Sequence, residues 1–151
     1  MLSQKAKVLQ ALGGRTMLNH VLTTANKISN KISVVVGFDK EGVEEEIKKI
    51  GINANTYLQK EQIGTADAVK TTLKDIDKNE KILILYGDVP LIKEETLKKL
   101  CNQESDLSIL TTNLENPTGY GRALKDKENN VLGIIEAVSY THLRAHETGY
   151  N

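Results

Sequence analysis

The sequence predicts an α/β fold, specifically a three-layer α/β/α sandwich built around a mostly parallel sheet. Two observations carry the prediction: continuous apolar runs, typical of strands covered by helices on both faces, and helical patterns that alternate with them. The runs are residues 33–38 (SVVVGF) and 81–86 (KILILY). In such a sheet ligands bind beyond the carboxyl ends of the strands, so we expect the chemistry in the loops that follow them.

The helices and further strands are predicted from periodicity and from turn residues, in chain order. Val43, Ile47 and Ile50 share one helical face, and Glu44 and Glu45 each lie four residues before a lysine, which favours a covering helix. The same spacing predicts helices at residues 17–25, 65–73 and 94–101. Further strands are predicted at 53–58 and 106–114, and a hairpin from 122–125 and 131–136.

Composition narrows the class of protein. The 151 residues carry 20 Lys plus Arg and 20 Asp plus Glu, so no charge surplus points to a nucleic-acid partner. The start of the chain has no signal-peptide core, and no stretch is apolar enough to span a bilayer. The single cysteine, Cys101, excludes a disulfide framework within the chain. We therefore expect a cytoplasmic protein that acts on small molecules, with no nucleic acid and no membrane.

The apolar run 81–86 leads directly into Gly87 and Asp88, which delivers a carboxylate to the expected ligand edge of the sheet. A carboxylate there can hold Mg²⁺, which uses one or two carboxylates together with water and phosphate oxygens. The same residue could also simply cap the following turn. The residues alone leave both interpretations open.

Four segments carry a resemblance to a known family. LYGDVPLI (85–92), LQKEQIGTADAV (58–69), NPTGYGR (116–122) and KVLQALGGRTMLNHVL (7–22) occur in the order and approximate spacing of the pyrophosphorylase domain of bacterial UDP-N-acetylglucosamine pyrophosphorylases. The chain resembles that amino-terminal domain over residues 1–136. The resemblance implies a Rossmann-like nucleotidyltransferase (nucleotide-diphospho-sugar transferase) fold.

The resemblance also implies roles for the residues that match these motifs. Lys7 corresponds to a catalytic lysine that contacts the nucleotide phosphates, although Ala6 replaces the proline usual before it. Asp88 corresponds to the catalytic carboxylate that binds Mg²⁺. The expected uracil-binding residues are Gln59, Gly64 and Thr65, and the expected sugar-binding residues are Tyr86, Gly87, Asp88, Gly121 and Glu136.

Each of these positions also has a purely structural interpretation. Lys7 could be one more solvated lysine, and Gly64 with Thr65 could only begin a helix. Gly121 could be a turn glycine, and Glu136 a solvated residue at a strand end. His20, among apolar neighbours on the first helix, is expected to be a partly buried structural histidine.

By resemblance, the reaction is transfer of a uridylyl group from UTP to N-acetylglucosamine 1-phosphate, with release of pyrophosphate. It would supply UDP-N-acetylglucosamine for peptidoglycan and lipopolysaccharide precursors, with Mg²⁺ as cofactor, in a homo-oligomeric parent enzyme. Two alternatives stay open: a related nucleotidyltransferase with another base or sugar, and a catalytically inactive fragment.

Both ends of the chain depart from the family pattern. The family opens with an apolar strand and a glycine-rich loop of the form GxGTRM, and Met1 coincides with the methionine that ends this motif. We expect the chain to lack that strand and loop, to show little or no turnover, and to expose the edges of two neighbouring strands. Residues 137–151 (AVSYTHLRAHETGYN) do not continue the pattern and are interpreted as an artefactual tail.

Overall fold

A computed structural model describes residues 5–61 and 63–135. The chain divides into two compact units, Met1–Ser108 and Ile109–Asn151. The described elements of the first unit are β1 (Ala11–Leu12), β2 (Arg15–Thr16), α1 (Met17–Asn26), β3 (Ser33–Val36), α2 (Lys40–Ile50), β4 (Asn55–Leu58), α3 (Thr65–Lys70) and α4 (Glu94–Cys101), with 3-10 turns at Lys7–Leu9 and Leu73–Asp75. Those of the second unit are β5 (Arg122–Lys125) and β6 (Val131–Ile135).

The central feature of the first unit is the parallel pair of β3 and β4. Ser33 lies opposite Asn55, and Val36 lies opposite Leu58. The pairing continues past the strand ends, because the Gln59 amide donates to the Val36 carbonyl at 2.8 Å. The predicted strands at 33–38 and 53–58 are thus confirmed with shorter ends, and both lead into loops at the same edge.

Helix α2, which connects these strands, has a defined start and end. Asp39 caps it from a left-handed backbone conformation, with φ of 58°, and accepts a hydrogen bond from the Gly42 amide at 3.3 Å. A Cβ atom at Gly42 would lie 2.6 Å from Asp39 Oδ1, so a side chain there would displace the capping carboxylate. Lys49 pairs with Glu45 at 2.9 Å, as their spacing predicts.

The hydrophobic core joins α1, β3 and α2. It is formed by five buried side chains, Leu18, Leu22, Val36, Val43 and Ile47. Burial of each contributes about 1.5–3 kcal/mol relative to leaving it exposed. This cluster fixes α1 and α2 against the strand whose loop approaches the candidate site.

Helix α1 begins where the sequence predicts. The Thr16 hydroxyl accepts from the Asn19 amide at 3.0 Å, which caps the helix, and donates to Glu46 Oε1 at 2.7 Å, which ties the cap to α2. His20 is half-buried, and its Nε2 atom lies 2.8 Å from the Leu12 carbonyl oxygen. Its predicted structural role is confirmed.

The other helices are short. The predicted helix 65–73 is shortened to α3 and the following 3-10 turn, and the predicted helix at 94–101 is confirmed as α4. Cys101, the last residue of α4, is half-buried. In the part of the chain that the structure describes, every helix is too short or too polar to cross a bilayer.

The predicted three-layer sandwich is not formed in the described residues, where each sheet has two strands. Neither 81–86 nor 106–114 is a strand, and the side chains of Ile82 and Ile84 are 48% and 57% exposed. An apolar run becomes a strand only when a neighbouring segment supplies hydrogen-bond partners for its backbone. Within the described residues the backbone of 81–86 makes a turn contact, from the Val89 amide to the Tyr86 carbonyl, but no strand pairing. Those two strand predictions are therefore wrong for this structure.

The second unit contains the predicted hairpin, and this prediction is confirmed. Strands β5 and β6 are antiparallel, with Arg122 opposite Ile135. Asn129 takes a φ of 67° in the connecting turn, and Asp126 Oδ1 accepts from the Asn130 amide at 2.8 Å. Hydrogen bonds from Asn130 hold the pKa of Asp126 below its usual range. Glu136, the predicted end of β6, lies outside the described residues.

Candidate functional site

The two residues predicted to be catalytic are in contact. Lys7 Nζ lies 2.9 Å from Asp88 Oδ2, although the residues are 81 positions apart in the sequence. Their side chains are 70% and 39% exposed, so both remain accessible to a ligand. Exposed ion pairs of this kind contribute about 0.2–1 kcal/mol to stability.

Two backbone features position the segments that carry this pair. The Ala6 amide, next to Lys7, donates to Asp39 Oδ2 at 3.0 Å. This bond ties the 3-10 turn Lys7–Leu9, here called the Lys7 turn, to the start of α2. On the other side, a Cβ atom at Gly87 would lie 3.0 Å from Val8 Cγ1. The absence of a side chain at Gly87 therefore lets the Lys7 turn approach the Asp88 segment closely.

The residues predicted to read uracil line one open depression of about 250 Å³. Its lining consists of Gly37, Gln59, Gly64, Thr65 and Ala68. Gly37 follows β3 and Gln59 follows β4, so the depression lies at the carboxyl ends of the parallel pair. Gly64 has a φ of 135°, which side-chain-bearing residues rarely adopt, so this lining position requires glycine.

The Gln59 side chain is held by two hydrogen bonds. Its Nε2 atom donates to the Gly64 carbonyl and to Asp67 Oδ2, each at 3.0 Å. Gln59 and Asp67 are both half-buried. The side chain is therefore fixed before any ligand arrives.

The donor set at Asp88 fits Mg²⁺ in one way only. Among residues 5–61 and 63–135, no group of three or more His, Cys, Asp or Glu side chains could enclose a metal ion. Asp88 offers one partly exposed carboxylate. Mg²⁺ accepts such a site when waters and substrate phosphate oxygens complete its six ligands. The chain's residues thus suit a metal that arrives with further oxygen ligands of its own.

For the remaining predicted site residues, the described contacts show no link to the Lys7–Asp88 pair or to the depression. Tyr86 precedes the Gly87–Asp88 turn and is 59% exposed. Gly121 lies in the second unit, where it is exposed and directly precedes β5. Glu136 lies outside the described residues.

Sequence reasoning missed two carboxylates that position this site, Asp39 and Asp67. Asp39 holds the Lys7 turn, and Asp67 holds Gln59. Asp39 carried a usable signal, because an aspartate that follows a strand and precedes a helix is a typical cap. Asp67, in the first turn of α3, had no comparable signal, since only the folded loop turns Gln59 back toward it.

The chain matches the family model described as the MobA-like NTP transferase domain over residues 2–142. It is 42% identical over 142 residues to the Bifunctional protein GlmU of Ruthia magnifica subsp. Calyptogena magnifica, which covers 93% of this chain and 31% of that protein. The GlmU proteins of Chromohalobacter salexigens and Thermotoga maritima are 45% and 42% identical, over 90% and 83% of this chain and 30% and 28% of their own lengths. The chain spans about 30% of the length of these relatives.

Proposed function

Because the chain belongs to the family of MobA-like NTP transferase domains, we propose that it is part of a sugar-phosphate uridylyltransferase. The reaction makes UDP-N-acetylglucosamine from UTP and N-acetylglucosamine 1-phosphate. The observation that carries the proposal is the 2.9 Å contact of Lys7 with Asp88, the two residues that the family motifs assign to catalysis.

The proposed chemistry is a single in-line phosphoryl transfer. A phosphate oxygen of N-acetylglucosamine 1-phosphate forms a bond to the α-phosphorus of UTP. The bond from that phosphorus to the oxygen bridging to the β-phosphorus breaks, and pyrophosphate leaves with the electron pair. Lys7 contributes a fixed positive charge beside the phosphate oxygens, where negative charge accumulates in the transition state.

The base and sugar are assigned to different segments. Gln59, Gly64 and Thr65 take the uracil, supported by the depression that they share. Tyr86, Gly87 and Asp88 take the sugar phosphate. Gly121 and Glu136 are proposed as sugar contacts from the motifs alone.

Mg²⁺ is the proposed cofactor, held by Asp88 with nucleotide phosphate oxygens, and when bound it supplies charge neutralisation on those oxygens. Asp88 would hold the metal ion, and Lys7 lies beside Asp88 at 2.9 Å. The exposed carboxylate favours a partner that brings its own ligands.

For the longer parent protein we propose the full family architecture. Residues 1–136 belong to its nucleotidyltransferase domain, in which 81–86 pairs as a strand of a larger sheet. The continuous apolar character of that run supports this. The parent is proposed to be cytoplasmic, because its substrates are nucleotide and sugar phosphates of the cell interior. Its proposed homo-oligomeric state rests on the family resemblance alone.

The test measures pyrophosphate release from UTP that depends on N-acetylglucosamine 1-phosphate. It compares the chain with a version extended at its amino end by the family's strand and glycine-rich loop. In the extended version, Asp88→Asn should lower kcat by about 10²-fold or more with little change in melting temperature, since it removes a group acting on the transition state. Asp75→Asn is the matched control, because the Asp75 side chain makes no hydrogen bond with the described residues.

Two results would contradict the proposal. One is an extended version that binds UTP yet releases no pyrophosphate when the sugar phosphate is added. The other is an Asp88→Asn variant that melts earlier but keeps full activity per folded molecule, which would make Asp88 structural.

A further inference from the structure

Gln59 lines the depression and is the side chain proposed to read the base, and the structure restricts how it can do so. Its amide group has two hydrogens on Nε2 and an acceptor oxygen, Oε1. Both hydrogens are used, one by the Gly64 carbonyl and one by Asp67 Oδ2, each at 3.0 Å. The only polar atom that remains for a ligand is therefore the acceptor.

The chemistry of the partners fixes this orientation. A backbone carbonyl and a carboxylate oxygen both accept hydrogen bonds, so the amide nitrogen must face them and the oxygen must face away. No hydrogen bond from the described residues reaches Oε1. Gly64 takes part through its main chain, whereas Asp67 takes part through its side chain. Both partners set the same direction of the amide, and Asp67 is the one that a side-chain substitution can remove.

We propose that Asp67 is a positioning residue that commits Gln59 to act as a hydrogen-bond acceptor, so that the site selects a base with an N–H at the position facing it. Uracil presents N3–H, whereas the N3 atom of cytosine carries no hydrogen. This inference rests on the proposed function for the identity of the ligand. It adds a residue and a hydrogen-bond polarity that the motifs do not specify.

The first arm of the experiment needs no nucleotide. The side-chain amide protons of Gln59 are observed by ¹⁵N–¹H NMR in the full 151-residue chain. Both protons should exchange slowly with solvent in the unmutated chain, and Asp67→Ala should make one of them exchange faster. Asp67→Asn keeps an acceptor oxygen and should restore the slow exchange. Asp75→Ala is the matched control and should leave Gln59 unchanged. Unaltered Gln59 protons in Asp67→Ala would overturn the positioning role.

The second arm compares UMP, N3-methyl-UMP and CMP by ligand-observed NMR titration. UMP should bind about tenfold more tightly than N3-methyl-UMP, since one hydrogen bond is lost and its acceptor is left unpaired. In Asp67→Ala this ratio should fall to about threefold or less, because one of the two acceptors that hold the amide nitrogen is lost and the amide can turn. CMP should bind relatively better, because the turned amide offers a donor to cytosine N3. Equal binding of UMP and N3-methyl-UMP by the unmutated chain would overturn the inference.

The outcomes separate this inference from the proposed function. Base selection that depends on Asp67, without any uridylyl transfer by the extended version, would reject the proposed reaction and leave the positioning role standing. Uridylyl transfer by the extended version, with base selection unchanged in Asp67→Ala, would support the proposed reaction and reject the positioning role. Opposite changes in UMP and CMP affinity are the signature, because a merely structural loss would weaken both.

Discussion

The two apolar runs, 33–38 and 81–86, have the same sequence character but different structural outcomes. The first forms β3, which pairs with β4, and its Val36 is 3% exposed within a cluster shared with α1 and α2. The second forms no strand in the described residues, and Ile84 is 57% exposed. Apolar composition makes a segment suitable for a buried strand, but the segment forms a strand only when a neighbouring segment pairs with it.

The difference bears on function because each run leads into a part of the candidate site. The loop after β3 contains Asp39, which holds the Lys7 turn from a rigid, packed base. The segment after 81–86 presents Asp88 from a less packed base, positioned by the contact with Lys7 and by the close approach of Gly87 to Val8. The proposed uracil side, where the Gln59 backbone amide donates to the Val36 carbonyl of β3, is expected to be preformed. The proposed metal and sugar side is expected to depend more on bound substrate.

The largest expected effect tests this comparison directly with one residue type. Ile47→Ala removes a side chain that is 5% exposed in the core beside Val36, and should lower the free energy of unfolding by about 2–5 kcal/mol. Ile84→Ala should change it by no more than about 0.5 kcal/mol. Urea unfolding of both variants gives the two values. Equal losses would mean that 81–86 is buried in solution, and the comparison would fail.

A smaller effect is expected at Asp39, which links the packed run to the Lys7 turn. Asp39→Ala removes the cap of α2 and the acceptor for the Ala6 amide, and leaves alanine in a left-handed conformation. The free energy of unfolding should fall by about 1–3 kcal/mol. Asp39→Asn tolerates the conformation but keeps one acceptor oxygen for the two amides of Ala6 and Gly42, so it should retain part of the stability. A thermal melt in which the asparagine variant loses as much as the alanine variant would argue against this account.

The smallest expected effect is a pH dependence within the packed region. The Thr56 hydroxyl donates to Glu44 Oε1 at 2.7 Å, and this bond, with the charge of Lys40, holds the pKa of Glu44 below its ordinary value of 4.5. Because the folded-state pKa is the lower one, the contact stabilises the fold above pH 4.5 and is lost as the pH falls through the folded pKa.

Thr56→Val removes the donor, so the pKa of Glu44 should rise toward its ordinary value. Carboxyl ¹³C NMR titration measures the shift. Thr71→Val serves as the control, because that hydroxyl donates to the Ala68 carbonyl and touches no carboxylate. An unchanged Glu44 pKa in Thr56→Val would show that this contact between α2 and β4 does not hold in solution.

Much of the fold could be predicted because its signals are local. Thr16 before α1, the apolar face of α2 and the asparagines in the β5–β6 turn each act on residues a few positions away. The prediction failed at 81–86 and 106–114, where strand formation depends on a partner segment far away in the sequence. For the site, motif resemblance supplied Lys7, Gln59 and Asp88, but their roles stay predictions until the assays are made.

The sequence alone determined the helix starts, the parallel and hairpin strands and the residue types that the site offers, because backbone propensity and side-chain periodicity act over short distances. Only the tertiary structure decided which of these residues meet. It brought Lys7 to Asp88, turned the Gln59 amide onto Asp67, and left Ile84 exposed while Val36 was buried. The physical reason is that hydrogen bonds and apolar burial need partners, and the chain supplies those partners from remote positions only once it has folded.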